Sequence, residues 1–260
     1  MAVVHEMATA IIDTNVFLKH TSAGASLSTS NRRASFIKNK FPVVEPLEFV
    51  IDKQGHNAVY VSLLQMLQAL LSRDDVLEKA MSLPTSATNK YCSFRDGVCF
   101  QEKKVLTEDK FTIAIGLYID YFEVANPLGT SKKKHKLCAV YWTLANLDSK
   151  YRSTLHAIQL AVLCKVSAVR EHGYHKILEP LVQDLMTLEE NGVHIEKLGA
   201  SIKGTLLDLA ADNLAAHSVA GFQECFTAGK ICRFCMANHQ EIQAEDATSK
   251  LYTLRTKLLH

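Results

Sequence analysis

One stretch constrains this chain more than any other: Leu206-Leu207-Asp208-Leu209-Ala210-Ala211-Asp212-Asn213-Leu214-Ala215-Ala216-His217. A run of small and apolar residues ends in an acid. An Asn then stands where helices are capped, and a new apolar pattern begins. The pattern predicts a buried strand that delivers Asp212 to its C-terminal edge, followed at once by a helix from Asn213 to about Phe226. Asp208 lies four residues earlier, so it shares the face of Asp212 but sits deeper along the strand. Just beyond come Cys232-Arg233-Phe234-Cys235 and His239.

Upstream, a second acid is placed in the same way. Phe111 to Ile119 is an apolar, β-branched run that ends at Asp120. Asn126-Pro127-Leu128-Gly129 reads as a turn. A basic tip follows, with Lys132, Lys133, Lys134, His135 and Lys136. Leu137 to Leu147 predicts a second strand. Leu155 to Leu163 predicts a third, although an apolar run of this length also fits a buried helix. Tyr174 to Glu190 carries apolar residues at helical spacing, with Pro180 marking a kink or a start, and Asn191-Gly192 ends it. From Phe111 the order is strand, strand, strand, helix, strand, helix, and the first and fourth strands each end in an acid. That order suits an RNase H-like mixed sheet flanked by helices, in which the first strand is central, the fourth lies beside it, and Asp120 and Asp212 are neighbours.

The N-terminal part is less regular. Residues 1–45 read as an irregular segment, rich in Ser, Ala, Thr and Gly between Thr21 and Ser35. Its basic residues Arg32, Arg33, Lys38 and Lys40 make either a solvated linker or an arm that touches phosphate. Residues 46–105 read as a small helical and hairpin region. A broad apolar face over 56–82 is interrupted at Ser72-Arg73-Asp74-Asp75, and Asp96-Gly97 predicts a tight hairpin between Cys92 and Cys99. Residues 106–240 form the RNase H-like, catalytic-type domain. Residues 241–260 form a charged helical tail with Leu251, Leu254 and Leu258 along one face. The expected class is α/β with a small helical N-terminal region.

Two carboxylates held a few ångströms apart repel one another unless a cation sits between them. Mg²⁺ or Mn²⁺ suits an all-oxygen site, and paired ions of this kind activate a water or 3′-hydroxyl for in-line phosphodiester displacement. Lys132, Lys133, Lys134 and Lys136 are candidate phosphate contacts, with binding that falls as salt rises, or a solvated hairpin tip. Cys225, Cys232, Cys235 and His239 are candidate ligands of a structural Zn²⁺, the two-residue gap being a usual zinc spacing; His217 is a further candidate. Net charge is only +2, so any nucleic-acid surface must be local. No apolar run reaches the roughly 18–20 residues of a membrane span, and residues 1–14 lack the basic start of a secretory leader. Seven scattered cysteines do not resemble a secreted disulfide framework, so a cytosolic or nuclear compartment is expected.

The block Asp120-Tyr121-Phe122-Glu123-Val124-Ala125-Asn126-Pro127-Leu128-Gly129 resembles transposase-derived proteins scattered through animal genomes. So do His135-Lys136-Leu137, Tyr141-Trp142-Thr143-Leu144-Ala145-Asn146, Gly204 to Phe222 and Cys232-Arg233-Phe234-Cys235. These look related to the DDE/D transposases of cut-and-paste DNA transposons. The resemblance spans roughly residues 40–240. It implies metal-dependent DNA strand cleavage and transfer, DNA as the partner and a nuclear location. Asp120 matches the first catalytic acid and Asp212 the second. The third should lie on a later helix, where Glu241 is the candidate, with Glu245 and Asp246 beside it. If that acid lay further on, the chain would be a truncated and inactive copy. The rivals are a host-retained derivative that binds DNA or protein without chemistry, and an RNase H-fold nuclease acting on another nucleic acid.

Overall fold

The computed structural model describes residues 20–53, 55–82, 91, 93–107, 111–123, 136–227, 229–244, 246 and 251–256, and only the backbone of Cys99. The chain divides into two compact units, residues 1–45 and 46–260. In the first, α1 (Ser30–Lys40) corrects the irregular reading of this segment. The Thr29 hydroxyl accepts the Arg32 N–H and so caps the helix. No residue of α1 is buried, which is why no apolar period announced it.

The second unit is α/β, built on a six-stranded mixed sheet. Its elements are β1 (Leu47–Val50), β2 (Asn57–Tyr60), α2 (Leu63–Leu71), α3 (Asp74–Met81), α4 (Val98–Glu102) and α5 (Lys104–Thr107). Then come β3 (Ile113–Glu123), β4 (Lys136–Leu144), α6 (Ser149–Arg152), β5 (Gln159–Lys165), α7 (Val166–Ile177) and α8 (Glu179–Glu190). A small hairpin of β6 (Val193–Ile195) and β7 (Ala200–Ile202) leads into β8 (Gly204–Ala211), α9 (Asn213–Val219) and α10 (His239–Gln243). The strand order is β1-β2-β5-β4-β3-β8. Only the β3–β8 pair is parallel; every other pair in this sheet is antiparallel.

Alternation along β3 sets the two faces. Ile113, Ile115, Leu117 and Ile119 are at most 4% exposed and meet Cys138, Val140, Trp142 and Leu144 of β4. Leu63, Leu67 and Leu71, four residues apart on α2, present one stripe to this core. The buried side chains of α7 and α8 complete it. On the opposite face a smaller cluster of Leu106, Ala114 and Ala145 is packed by Phe94, Phe100 and Leu207. Along β3 beyond it, Tyr118 and Phe122 are exposed.

Four expectations change. The 56–82 stretch is not helical from its start: its first residues form β2, an edge extension of the sheet, so residues 46–105 are not a separate region. Asp96-Gly97 makes no hairpin. Ser93 and Asp96 form a capping box over a 3₁₀ turn, Phe94–Asp96, and Gly97 then opens α4. The third strand begins at Gln159, after a 3₁₀ turn at Leu155–Ala157. The tail is not one helix: α10 is five residues long, and Cys235 bridges Leu254 in extended pairing.

Two contacts make measurable demands. Asp184 of α8 sits at the start of α2, where its Oδ2 accepts the Tyr60 hydroxyl (2.6 Å), the Ser62 hydroxyl (2.9 Å) and the Leu64 N–H (3.3 Å). A carboxylate here meets the positive end of the helix dipole. Asp184→Ala is expected to lower unfolding free energy by about 1.5–3 kcal/mol, the scale of hydrogen bonds to a charged group, read by urea denaturation. At the start of β8, a Cβ on Gly204 would lie 2.5 Å from the Ile113 carbonyl oxygen and 2.6 Å from Ile113 Cβ. Gly204→Ala therefore pushes β8 off β3 and is expected to cost about 1–3 kcal/mol, as overpacking does. A full-stability Gly204→Ala protein would show that this strand end is not held.

Candidate cation sites at one end of the sheet

Asp120 and Asp212 reach the same end of two adjacent parallel strands. The last paired residues are Ile119 and Ala211, and each acid is the next residue on its strand. Neighbouring strands lie about 4.8 Å apart, so the two acids leave adjacent strand ends. Asp120 is half-buried and Asp212 exposed. One oxygen of each is held by a backbone amide. Asp120 Oδ1 accepts the Tyr121 N–H at 2.8 Å. Asp212 Oδ1 accepts the Ala215 N–H at 2.7 Å and caps α9. Asp212 is itself the helix cap, one residue before the Asn that the sequence suggested. These bonds fix carboxylate orientation in the way outer partners fix metal ligands. α9 ends at Val219, with Gly221 at φ +70, earlier than the sequence pattern implied.

Among the described residues, no third acid forms a compact group with this pair. Glu241 is engaged elsewhere: its Oε2 accepts the Asn238 N–H at 2.8 Å while Asn238 Oδ1 accepts the Glu241 N–H, a capping box for α10. Among the described residues, Asp120, Asp212 and Glu241 form no group of three whose ligating atoms lie within 4.8 Å of one another. Asp208 pairs with Gly116, after a bulge that inserts Leu207. Four strand residues, about 13 Å, separate it from Asp212. Desolvation raises the Asp208 carboxyl above its ordinary range, with Arg152 opposing. Asp246 is exposed, and Glu245 lies outside the described residues. Lys136 is exposed at the start of β4; Lys132, Lys133 and Lys134 lie outside the described residues.

The cysteine segment is partly assembled. The Cys232 sulfur accepts the Phe234 N–H at 3.4 Å. Against desolvation, the Phe234 and Cys235 N–H groups, the Cys235 thiol and Arg255 hold the Cys232 thiol below its ordinary range. Arg255 braces the turn by donating to the Cys232 carbonyl at 2.8 Å and the Lys230 carbonyl at 3.0 Å. His239 Nδ1 is buried without a hydrogen bond. Cys225 is exposed and contacts Thr227 Oγ1 at 3.2 Å. The four candidates form no compact group of three among the described residues. His217 is a core residue, 2% exposed, with Nδ1 on the Gln223 carbonyl and its ring against Phe222 and Phe226.

The compact group that does form was not foreseen. Asp52, His56, Glu171 and His172 each offer a ligating atom, all within 4.8 Å of one another, so this cluster could hold a metal ion. Asp52 Oδ2 lies 2.8 Å from His56 Nδ1 and 2.7 Å from His172 Nε2; Glu171 Oε2 lies 3.7 Å from His56 Nε2. The β1–β2 turn supplies the first two. Gly55 at φ +94 lets the chain reverse, the Ile51 N–H donates to the His56 carbonyl, and Asp52 Oδ1 accepts the His56 N–H. α7 supplies the other two. Its helical geometry breaks at Gly173, φ +73, directly after His172. Asp52 and His56 lie more than a hundred residues before Glu171 and His172, and neither pair is a site by itself, so the sequence held no signal for this convergence.

Cluster and acid pair share one end of the sheet but are separate. Asp120 registers with Ala139, Ala139 with Leu163 and Leu163 with Val59. Three strand spacings, about 14 Å, therefore lie between β3 and β2. Compared with protein-family models and with curated proteins, the sequence matches none.

Proposed function

We propose that this chain is a transposase-derived domain of the RNase H-like type, whose Asp120–Asp212 pair takes Mg²⁺ or Mn²⁺ and acts on the phosphodiester backbone of DNA. One observation carries the reading: β3 and β8 are parallel neighbours whose acids follow the Ile119–Ala211 pair, with antiparallel β4 and β5 on the other side of β3. A cation between the carboxylates relieves their repulsion and polarises a phosphoryl oxygen. The lysines of the β3–β4 tip neutralise phosphates.

The test is nicking of supercoiled plasmid DNA in Mg²⁺ or Mn²⁺, with chelator and Asp120→Asn as controls. Metal-dependent nicking that Asp120→Asn abolishes supports the catalytic reading. A second reading is favoured by the engagement of Glu241 in the α10 cap: the chain is a host-retained derivative that binds DNA or protein and performs no strand cleavage. Salt-sensitive DNA binding without nicking under any metal selects it.

A further inference from the structure

We propose that Asp52, His56, Glu171 and His172 form a structural site for a zinc-class divalent ion, which ties the β1–β2 turn to α7. The donor set carries the class. Two imidazoles favour a borderline ion such as Zn²⁺ over Mg²⁺ or Ca²⁺, which prefer all-oxygen shells. Spacing agrees: ligands about 2.0–2.1 Å from a tetrahedral ion lie about 3.3–3.4 Å apart, and one ligating atom from each of the four residues lies within 4.8 Å of the others.

A second observation points to a cation. His172 Nε2 is buried and makes no hydrogen bond, although it lies 2.7 Å from Asp52 Oδ2. The in-plane direction of this ring nitrogen therefore misses Asp52 Oδ2 and is left without a partner. An ion placed along it would supply one. The Asp52 carboxylate is oriented from behind by the His56 N–H at 3.0 Å, the outer-shell support that ligating carboxylates receive.

The role follows from connectivity. Four protein ligands complete a tetrahedron and leave no open position, the arrangement of structural sites. They come from two segments far apart in sequence, so the ion cross-links an edge hairpin to the helix over the central strands. The site is independent of the reading of Asp120 and Asp212.

The test is calorimetric titration of metal-stripped protein with Zn²⁺, in a Cys232→Ser/Cys235→Ser background that removes the Cys-x₂-Cys thiolates. One ion per chain is expected, bound at least tenfold more weakly by His172→Ala and by Asp52→Ala. Co²⁺ in its place should show the visible bands of a four-coordinate ion without thiolate charge transfer. Because a variant can misfold, amide exchange of the titrated background protein gives a second readout: Zn²⁺ should slow exchange at residues 51–58. No stoichiometric uptake, uptake indifferent to His172→Ala, or exchange at 51–58 unmoved by Zn²⁺ overturns the proposal and leaves the four side chains as an ion-pair cluster.

Discussion

Asn146→Ala is expected to lower unfolding free energy by about 2–6 kcal/mol. Asn146 is fully buried just beyond β4. Its Oδ1 accepts the Ala114 N–H at 2.7 Å, and its Nδ2 donates to the Thr112 carbonyl at 2.8 Å. The side chain thereby extends the β3–β4 ladder past the last residue of β4, beside the Ala145 N–H bond to the Ala114 carbonyl. Removing it strands one buried donor and one buried acceptor, each costing about 1–3 kcal/mol. A loss of that size is a large part of the 5–15 kcal/mol typical of a folded domain. Urea unfolding followed by fluorescence measures it directly, because Trp142 is the only Trp and is fully buried in β4. A change below about 1 kcal/mol would mean that water replaces the amide there.

Asp212 answers two questions at once, and two substitutions separate them. Asp212→Asn keeps a side-chain oxygen for the Ala215 N–H, and Asn caps helices as well as Asp. Its stability should be close to that of the parent. Asp212→Ala removes the cap and should cost about 0.5–2 kcal/mol. Both remove the charge that a divalent ion needs. On the proposed function both should lower metal-dependent nicking by about 10³-fold or more, the rate equivalent of the several kcal/mol that a metal supplies to a phosphoryl transition state. Nicking by Asp212→Asn at the parent rate would remove Asp212 from the chemistry and leave it a helix cap. Loss in Asp212→Ala alone would trace the effect to folding.

Much of the central architecture was legible in local patterns. Asp120 and Asp212 stand out because each closes an apolar run, and both runs are strands. The three strands from Phe111 and the Asn191-Gly192 stop follow from equally local patterns. What failed did so for identifiable reasons. The hairpin β1–β2 has strands of four residues, too short for alternation to register, and Val59 merges by eye with the leucines of α2. β2 becomes a strand because β5, about a hundred residues later, offers it a partner. The charged run of α1 has no apolar face, so capping at Thr29 was its only signal. Glu241 is placed by a local signal: the Asn238-His239-Gln240-Glu241 spacing is that of a capping box, and it commits the acid to α10.

By itself, the sequence determined the strand-end acids, the four long strands from Phe111 onward and the Asn191-Gly192 stop, since these depend on residues within a few positions of one another. Tertiary structure alone decided which strands pair and that Asp120 and Asp212 leave adjacent strand ends. It also decided that Asp52 and His56 meet Glu171 and His172. The physical reason is range. Backbone periodicity and capping act within a turn or two, whereas the parallel pairing of β3 with β8 and the antiparallel pairing of β2 with β5 join residues about ninety to a hundred positions apart, through contacts that no local pattern encodes.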